Sequence, residues 1–326
     1  MTLHDRIHGD HKIHEPVLLA LLECPSIVRL QRVEQLGLPR EFHVAAGFSR
    51  YEHSAGVMLL LRHLGASVEE QAAGLLHDVS HTAFSHVVDW FYKSEQQDSY
   101  QDHRHEKFLR ASEIPEILSR FGFSIDRIVD YHFFPLLESE IPNLCADRVD
   151  YALRQMPSNA ATKCFAYLTT FQNRTAFSDL EAARIFADAY IHLQDTVWRG
   201  YEGMSRYRLF VRVLERALEL GRIFMEDFDS DDQAVMQKIT CAPDPIIDEL
   251  LRVLRLRDLD HLPKEATPSF AKPRFVDPLV VHGGSAQRLS DIDLLFAHRL
   301  EEARTRNARG IFLVSPHRVL TAAHLI

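Results

Sequence analysis

From Pro16 to Val253 the apolar residues recur at the three- and four-residue spacing of helices, and no long run alternates with the period of two of a half-buried strand. This pattern constrains the fold most: the chain must bury its apolar surface between helices. Pro16–Leu22 and Ser26–Leu36 open the series, with Ser26 as the expected N-cap of the second. Tyr51–Leu64 is ended by Gly65. Ser67-Val-Glu-Glu70 has the form of a capping box and starts a helix that carries Ala72, Ala73, Leu75 and Leu76 up to His77-Asp78. Further helices are expected over His105–Phe121, Asp126–Phe133, Cys145–Arg154, Leu180–Trp198, Arg206–Phe224, Asp232–Ile239 and Ile246–Val253. Strand-like segments come only late, at Arg274–Val281 and Gly310–Val314, and over His261–Pro278 the prolines Pro263, Pro268, Pro273 and Pro278 suppress helix. The expected architecture is all-α: a helical body over residues 1–262 and a small C-terminal α+β lobe over 263–326.

Composition narrows the class. The chain has 326 residues, 46% hydrophobic and 25% charged, which suits a packed globular fold and excludes wholesale disorder. A net charge of -9 gives no duplex nucleic-acid signal, though a few local arginines and a metal can hold phosphates on an acidic protein. The cysteines Cys24, Cys145, Cys164 and Cys241 form no C-x-x-C pair, so neither a disulfide framework nor a thiolate zinc site is signalled. The N-terminus lacks the apolar core of a signal peptide and no apolar run is long enough to span a membrane, so a cytoplasmic protein is expected, with the nucleus as the alternative. Of the 19 histidines, those up to His132 make up the large majority.

That skew points to chemistry. His53 sits on one expected helix, His77-Asp78 at the end of the next, and Asp147 near the start of a later one. Two imidazoles and two carboxylates suit Mn, Fe, Zn, Co or Ni better than an all-oxygen Mg or Ca cage. Adjacent His77 and Asp78 can both reach one ion only if the helix ends or distorts there, and Val79-Ser-His-Thr82 permits it.

The chain also resembles the HD-domain phosphohydrolases, whose ligands read H…HD…D, and within them the branch of dNTP triphosphohydrolases. The resemblance rests on Asp5-Arg-Ile-His-Gly9, Arg29-Leu-Gln-Arg-Val-Glu-Gln-Leu-Gly37, Ser49-Arg-Tyr-Glu-His-Ser-Ala-Gly-Val57, Leu76-His-Asp-Val-Ser-His-Thr-Ala-Phe-Ser-His86, His105-Glu106 and Asp147-Arg-Val-Asp-Tyr151, in that order. It covers roughly residues 3–155, with the HD motifs in 45–155. It implies that His53, His77, Asp78 and Asp147 hold one divalent transition metal, with Mg accompanying the substrate phosphates. It implies that His81 works on the scissile phosphate, that His105, followed by Glu106, supports proton transfer, and that Arg50, His86, Arg148 and Tyr151 contact phosphates. Gln35, Leu36 and Tyr201 would line the sugar. His103 competes with His105, Leu36 serves equally as core, and Asp150 reads as a helix-stabilising acid. His8, with His4, His11 and His14, reads as structural. Both His81 and His105 are expected to titrate near neutral pH.

The sequence also departs from that branch. Where GTP-regulated members read a guanine nucleotide, this chain has Glu23, Val28 and Gln31, which argues against that activation. Where an arginine grips the distal phosphates it has Leu193, for which Arg199 or Arg206 could substitute. The leading expectation is hydrolysis of dNTPs to deoxynucleoside and triphosphate by a homo-oligomer. The alternatives are a phosphomonoesterase or phosphodiesterase on another nucleotide or small phosphoester, and a nucleotide sensor without turnover.

Overall fold

The computed structural model describes residues 1–43, 45–91, 100–270 and 274–326, with the side chains of residues 89, 91 and 100–103 excepted. Pro273 and the side chain of His103 lie outside the described residues. Helices dominate as the apolar spacing requires: α1 Pro16–Leu22, α2 Pro25–Arg29, α3 Arg50–His63, α4 Val68–Leu76, α5 His86–Phe91, α6 Tyr100–Ala111, α7 Ile114–Arg120, α8 Ile125–Ile128, α9 Ala146–Gln155, α10 Ser158–Ala166, α11 Leu180–Leu193, α12 Tyr201–Glu219, α13 Asp232–Ile239, α14 Pro245–Leu254, α15 Leu289–Ile292, α16 Leu294–Ala308 and α17 Pro316–Ala322. Among the described residues no helix is long and apolar enough to cross a membrane.

Local chemistry sets the helix ends. Ser49 caps α3 with a reciprocal box: its hydroxyl accepts from the Glu52 amide, and Glu52 accepts from the Ser49 amide. Ser67 caps α4 through the Glu70 amide, but Glu70 turns away and accepts from the amides of Leu136 and Leu137. The expected Ser26 cap is corrected: Pro25 occupies the first turn of α2, Cys24 is the N-cap, and α2 gives way to a 3-10 turn at Leu30–Arg32.

All-α is an approximation. A hairpin pairs β1 Thr2–Asp5 with β2 Gly9–Lys12, and a second sheet runs β3 Leu168–Phe171, β4 Arg174–Phe177, β5 Leu279–His282, β6 Ser285–Arg288. The β3–β4 turn places Gln172 and Asn173 at φ values of 49° and 58° without a glycine, so its usual sequence signal is missing. Strand β5 pairs in parallel with β4, which couples the C-terminal segment to the helical body. Gly310–Val314 forms only isolated bridges, Ser269 with Ile311 and Lys264 with Val314.

Two apolar cores result. The larger joins α1, α3, α4, α9 and α11 and takes in Val280, Phe296 and Leu300 from the C-terminal part. The second joins α12, α13, α14 and α17 with Ala83, Phe84, Val87 and Val88. The segment from His77 to His86 therefore lies where the cores meet.

Candidate metal centre

Helix α4 ends at Leu76, and His77 is its C-cap. A turn follows, with the Val79 amide donating to Leu76 and the His81 amide to Asp78. This end frees adjacent His77 and Asp78 to face one point. Gly74 makes the approach possible, because a Cβ there would lie 2.3 Å from Leu61 Cδ1 on α3. The rings of His53 and His77 come within 5.0 Å of each other.

The donor atoms converge. His53 Nε2 is 3.0 Å from Asp147 Oδ1 and 3.8 Å from Asp78 Oδ2. His77 Nε2 is 3.6 Å from Asp147 Oδ1 and 3.5 Å from Asp78 Oδ1. His53, His77 and Asp147 each direct one ligand atom into a common space within 4.8 Å. His77 Nδ1 lies 2.7 Å from the Gly74 carbonyl, so it carries the hydrogen. In the neutral ring this leaves a lone pair on Nε2, which is buried and has no hydrogen-bond partner. His53 Nδ1 meets Asp150 Oδ2 at 2.8 Å and its Nε2 meets Asp147 Oδ1 at 3.0 Å; with the hydrogen on Nδ1, the neutral ring turns its Nε2 lone pair toward Asp147. Two imidazole nitrogens and the Asp147 carboxylate converge on one point, with Asp78 at its edge and also held by Arg50 and His81, a donor set that suits a transition cation.

Electrostatics lead to the same conclusion. Burial alone would lower the His53 and His77 pKa values. Asp147 and Asp150 instead hold His53 above its usual value, while Asp78 and Asp147 push His77 up to about 9. Burial would raise the carboxylates, yet Arg50, His77 and His81 hold Asp78, and His53 and His77 hold Asp147, well below their usual range. The carboxylates thus favour positive charge at this point, carried either by protons on the imidazoles or by a cation that replaces them.

A second layer, missed in the sequence, fixes the ligands. Asp150 is fully buried and accepts from His53, from His8 Nε2 at 2.6 Å and from Arg154 Nε at 2.7 Å; Arg154 also reaches Asp5 at 2.7 Å. Asp150 thus holds the His53 ring, the place a carboxylate takes behind a metal-binding histidine, and does more than stabilise its own helix. Its signal was available: Asp150 stands three residues after Asp147, so both face α3. His8 and Asp5 come from the N-terminal hairpin, 142 residues away for the His8–Asp150 pair.

The structure brings other expected residues to this centre. Arg50 is fully buried; its Nη1 bonds Asp78 Oδ2, its Nε bonds Ser85 Oγ at 2.6 Å, and its Nη2 lies 3.5 Å from the Gln35 carbonyl and 3.4 Å from His86 Nε2. His81 Nε2 is 3.2 Å from Asp78 Oδ1. Burial first, then Arg50, pushes the His81 pKa down to about 3, against the expectation of titration near neutrality. His105 sits between Ser80 Oγ at 3.0 Å and the Tyr131 hydroxyl at 2.8 Å. Tyr151 packs 6.2 Å from the His53 ring and bonds the Tyr190 hydroxyl. Gln35 keeps its side-chain oxygen buried without a partner.

Other residues lie elsewhere. Glu106 is exposed and pairs with Arg110 at 2.8 Å, one residue and about 100° around α6 from His105. Arg148 bonds Glu138 at 2.8 Å, Cys145 Sγ at 3.1 Å and the Ser139 carbonyl, so its guanidinium occupies the cluster Glu138, Cys145 and Asp147 rather than open space. Leu36 offers its carbonyl to Tyr207. Tyr201 bonds the Leu259 carbonyl at 2.8 Å and lines a separate cleft of about 580 Å³ with Asp260, Lys264 and Phe312. Arg206 is buried against the Leu254 and Leu256 carbonyls. Arg199 differs. It follows a π-helical turn at Gln194–Trp198, and its Nη1 is buried without a partner. Arg274, unflagged by the sequence reading, lies within hydrogen-bonding reach of Tyr151 and raises the charge around Arg199.

Comparisons with known proteins identify the family and the fold. Residues 50–160 match the HD domain family. The chain is 30% identical to metal-dependent phosphohydrolase cns2 of Cordyceps militaris over 305 residues, 88% of this chain and 87% of that protein. It is 36% identical to the uncharacterized protein YdhJ of Bacillus subtilis, over 72% of this chain and 74% of YdhJ. Similarity to the deoxynucleoside triphosphate triphosphohydrolase SAMHD1 of Mus musculus is 24%, over 65% of this chain and 33% of that protein. Among solved structures, a phosphohydrolase from Bacteroides thetaiotaomicron shares the fold, with TM-score 0.65 and 16% identity over 90% of this chain and 94% of that one.

Proposed function

Since the chain belongs to the HD-domain metal-dependent phosphohydrolases, we propose that it hydrolyses deoxynucleoside triphosphates to deoxynucleoside and triphosphate at the centre formed by His53, His77, Asp78 and Asp147. When bound, a divalent transition ion would supply Lewis-acid polarisation of a phosphoryl oxygen. Arg50 lies against the ligand Asp78 and is the side chain best placed to offset charge on the attacked phosphoryl group. His81, held neutral with its Nε2 hydrogen toward Asp78, presents an accepting Nδ1 rather than a standing positive charge. His105, tied to Ser80 and Tyr131, is the group we assign to proton transfer. His86 and Tyr151 complete the substrate contacts on the two sides.

The observation that carries the triphosphate reading is the pair Arg199 and Arg274. Among the described residues neither forms an ion pair with a carboxylate, and both lie on the Tyr151 side, within electrostatic reach of Tyr151. Arg50 stands on the Asp78 side. A phosphate chain running from Arg50 toward Arg199 and Arg274 would meet cations at both ends. Incubating the protein with Mn²⁺ and each dNTP should release triphosphate; release of only orthophosphate or pyrophosphate would contradict this reading.

A second reading keeps the metal centre and changes the substrate to a phosphomonoester. The commitment of Arg148 to Glu138 favours it, since one expected phosphate contact is then spent within the protein. A panel of nucleoside monophosphates separates the two. Assembly into a homo-oligomer is proposed for either reading, and light scattering with and without nucleotide tests it.

A further inference from the structure

Between His81 and His86 the backbone makes an uncommon turn. Phe84 and Ser85, neither a glycine, take φ values of +58° and +40°. Such conformations persist only where the surroundings over-determine them. Here three contacts do so. The Ala83 amide donates to the Phe228 carbonyl at 2.8 Å. Gly37 packs so closely that a Cβ there would lie 2.9 Å from the Phe84 carbonyl oxygen. Asp232 Oδ1 accepts from the Phe84 amide at 2.8 Å.

The other oxygen of Asp232 accepts from the Glu34 amide at 2.9 Å. One carboxylate from the first turn of α13 thus ties two segments that are 50 residues apart in sequence and flank Arg50. The Glu34 side supplies the Gln35 carbonyl to Arg50 Nη2, and Val33 accepts from the Arg50 amide at 2.8 Å. The Phe84 side supplies Ser85 Oγ to Arg50 Nε and His86 to Arg50 Nη2. Asp232 is buried, and among the described residues no lysine or arginine forms an ion pair with it. A helix-terminal acid serving only its own helix needs neither burial nor these partners. Asp231, beside it, is the N-cap of α13.

We propose that Asp232 is a positioning residue for the phosphate end of the site, clamping the Glu34 and Phe84 segments so that Ser85 and His86 hold the Arg50 guanidinium in place. The assignment rests on the phosphohydrolase reading for its activity readout only. Asp232 touches none of His53, His77, Asp78 or Asp147, so metal content stays as in the parent protein while Arg50 loses its setting.

The test is a double-mutant cycle. Asp232→Asn should lower kcat/KM for the best phosphoester substrate by about tenfold or more. In an Arg50→Gln background the same change should cost less than about twofold, because the group it positions is gone. Equal costs in both backgrounds would overturn the proposal. Ser85→Ala, which leaves Asp232 intact and removes the hydroxyl that meets Arg50, repeats the cycle if Asp232→Asn does not fold, and additivity there would overturn it equally. A readout independent of turnover is amide exchange. In Asp232→Asn, residues 33–37 and 82–86 should both exchange faster, and unchanged exchange in either segment contradicts the clamp. A parent protein that hydrolyses no phosphoester would defeat the functional reading, while the exchange experiment still decides this one.

Discussion

Asp150→Asn tests the second layer of the metal centre. The native carboxylate takes four hydrogen bonds: His8 Nε2 at 2.6 Å and Arg154 Nη2 at 3.2 Å on Oδ1, His53 Nδ1 at 2.8 Å and Arg154 Nε at 2.7 Å on Oδ2. An amide has one accepting oxygen, so in either orientation two of these donors meet a nitrogen that cannot accept. With the nitrogen toward His53, the ring loses the partner that keeps its hydrogen on Nδ1. The opposite tautomer then points an N–H at the metal position. Removing one member of a buried charge pair costs about 3–5 kcal/mol. Arg154 retains Asp5 at 2.7 Å, so the lower end, about 3 kcal/mol, applies. Loss of the orienting partner should weaken metal binding about 10- to 100-fold. Denaturant unfolding gives the first quantity, and competition with a chelator of known affinity gives the second. A variant that loses stability but binds metal as tightly as the parent would refute the orienting role.

Three other outcomes follow from the same structure. Gly56→Ala should cost about 1–3 kcal/mol in unfolding free energy and lower metal retention, because the added methyl would sit 1.9 Å from Arg154 Nη2 and 2.2 Å from Asp150 Oδ1. Normal melting and metal content would show that this packing is wrong. Arg274→Ala should raise KM for a triphosphate by about tenfold, the loss expected for one charge-assisted contact, and an unchanged KM removes Arg274 from the phosphate path. Asp232 supplies a pH dependence. Burial pushes its pKa up to about 7, so the folded chain keeps a proton that the unfolded chain releases near pH 4. The native state therefore loses stability as pH rises from about 4 to 7, by an amount on the order of 4 kcal/mol at most. Relative to Asp232→Asn, urea midpoints of the parent should fall between pH 5 and pH 8. Parallel profiles would contradict the buried, unpaired carboxylate.

The sequence made some of this legible and hid the rest for definable reasons. Helices with strong periodicity, such as Asp232–Ile239, were readable to their ends. The cluster of His53, His77 and Asp147 could be anticipated because a His-Asp dipeptide after Leu75 and Leu76 has few other uses, and the ordered motifs named its partners. The β3–β4 hairpin was hidden by a turn made from Gln172 and Asn173, where sequence reading looks for glycine. His105–Phe121 read as one helix but breaks between Ala111 and Ile114, where Pro115 starts a new first turn. Long-range pairing was hidden altogether. No local pattern joins His8 to Asp150 or Asp232 to Phe84, and only the packing of the N-terminal hairpin and α13 onto the body creates those contacts. Arg148 shows the converse: a residue with the right spacing is drawn to Glu138, which a linear pattern does not reveal.

Metal content and product analysis on the same preparations of the parent chain and of His77→Ala put the metal centre to the test. The parent should retain a transition metal and, with Mn²⁺, convert a dNTP to deoxynucleoside and triphosphate. His77→Ala, folded by circular dichroism, should lose both the metal and the turnover, as expected if the unpartnered Nε2 of His77 is a ligand. A parent protein that hydrolyses phosphoesters equally well after exhaustive chelation, or a His77→Ala variant that keeps its metal, would contradict the proposed metal centre.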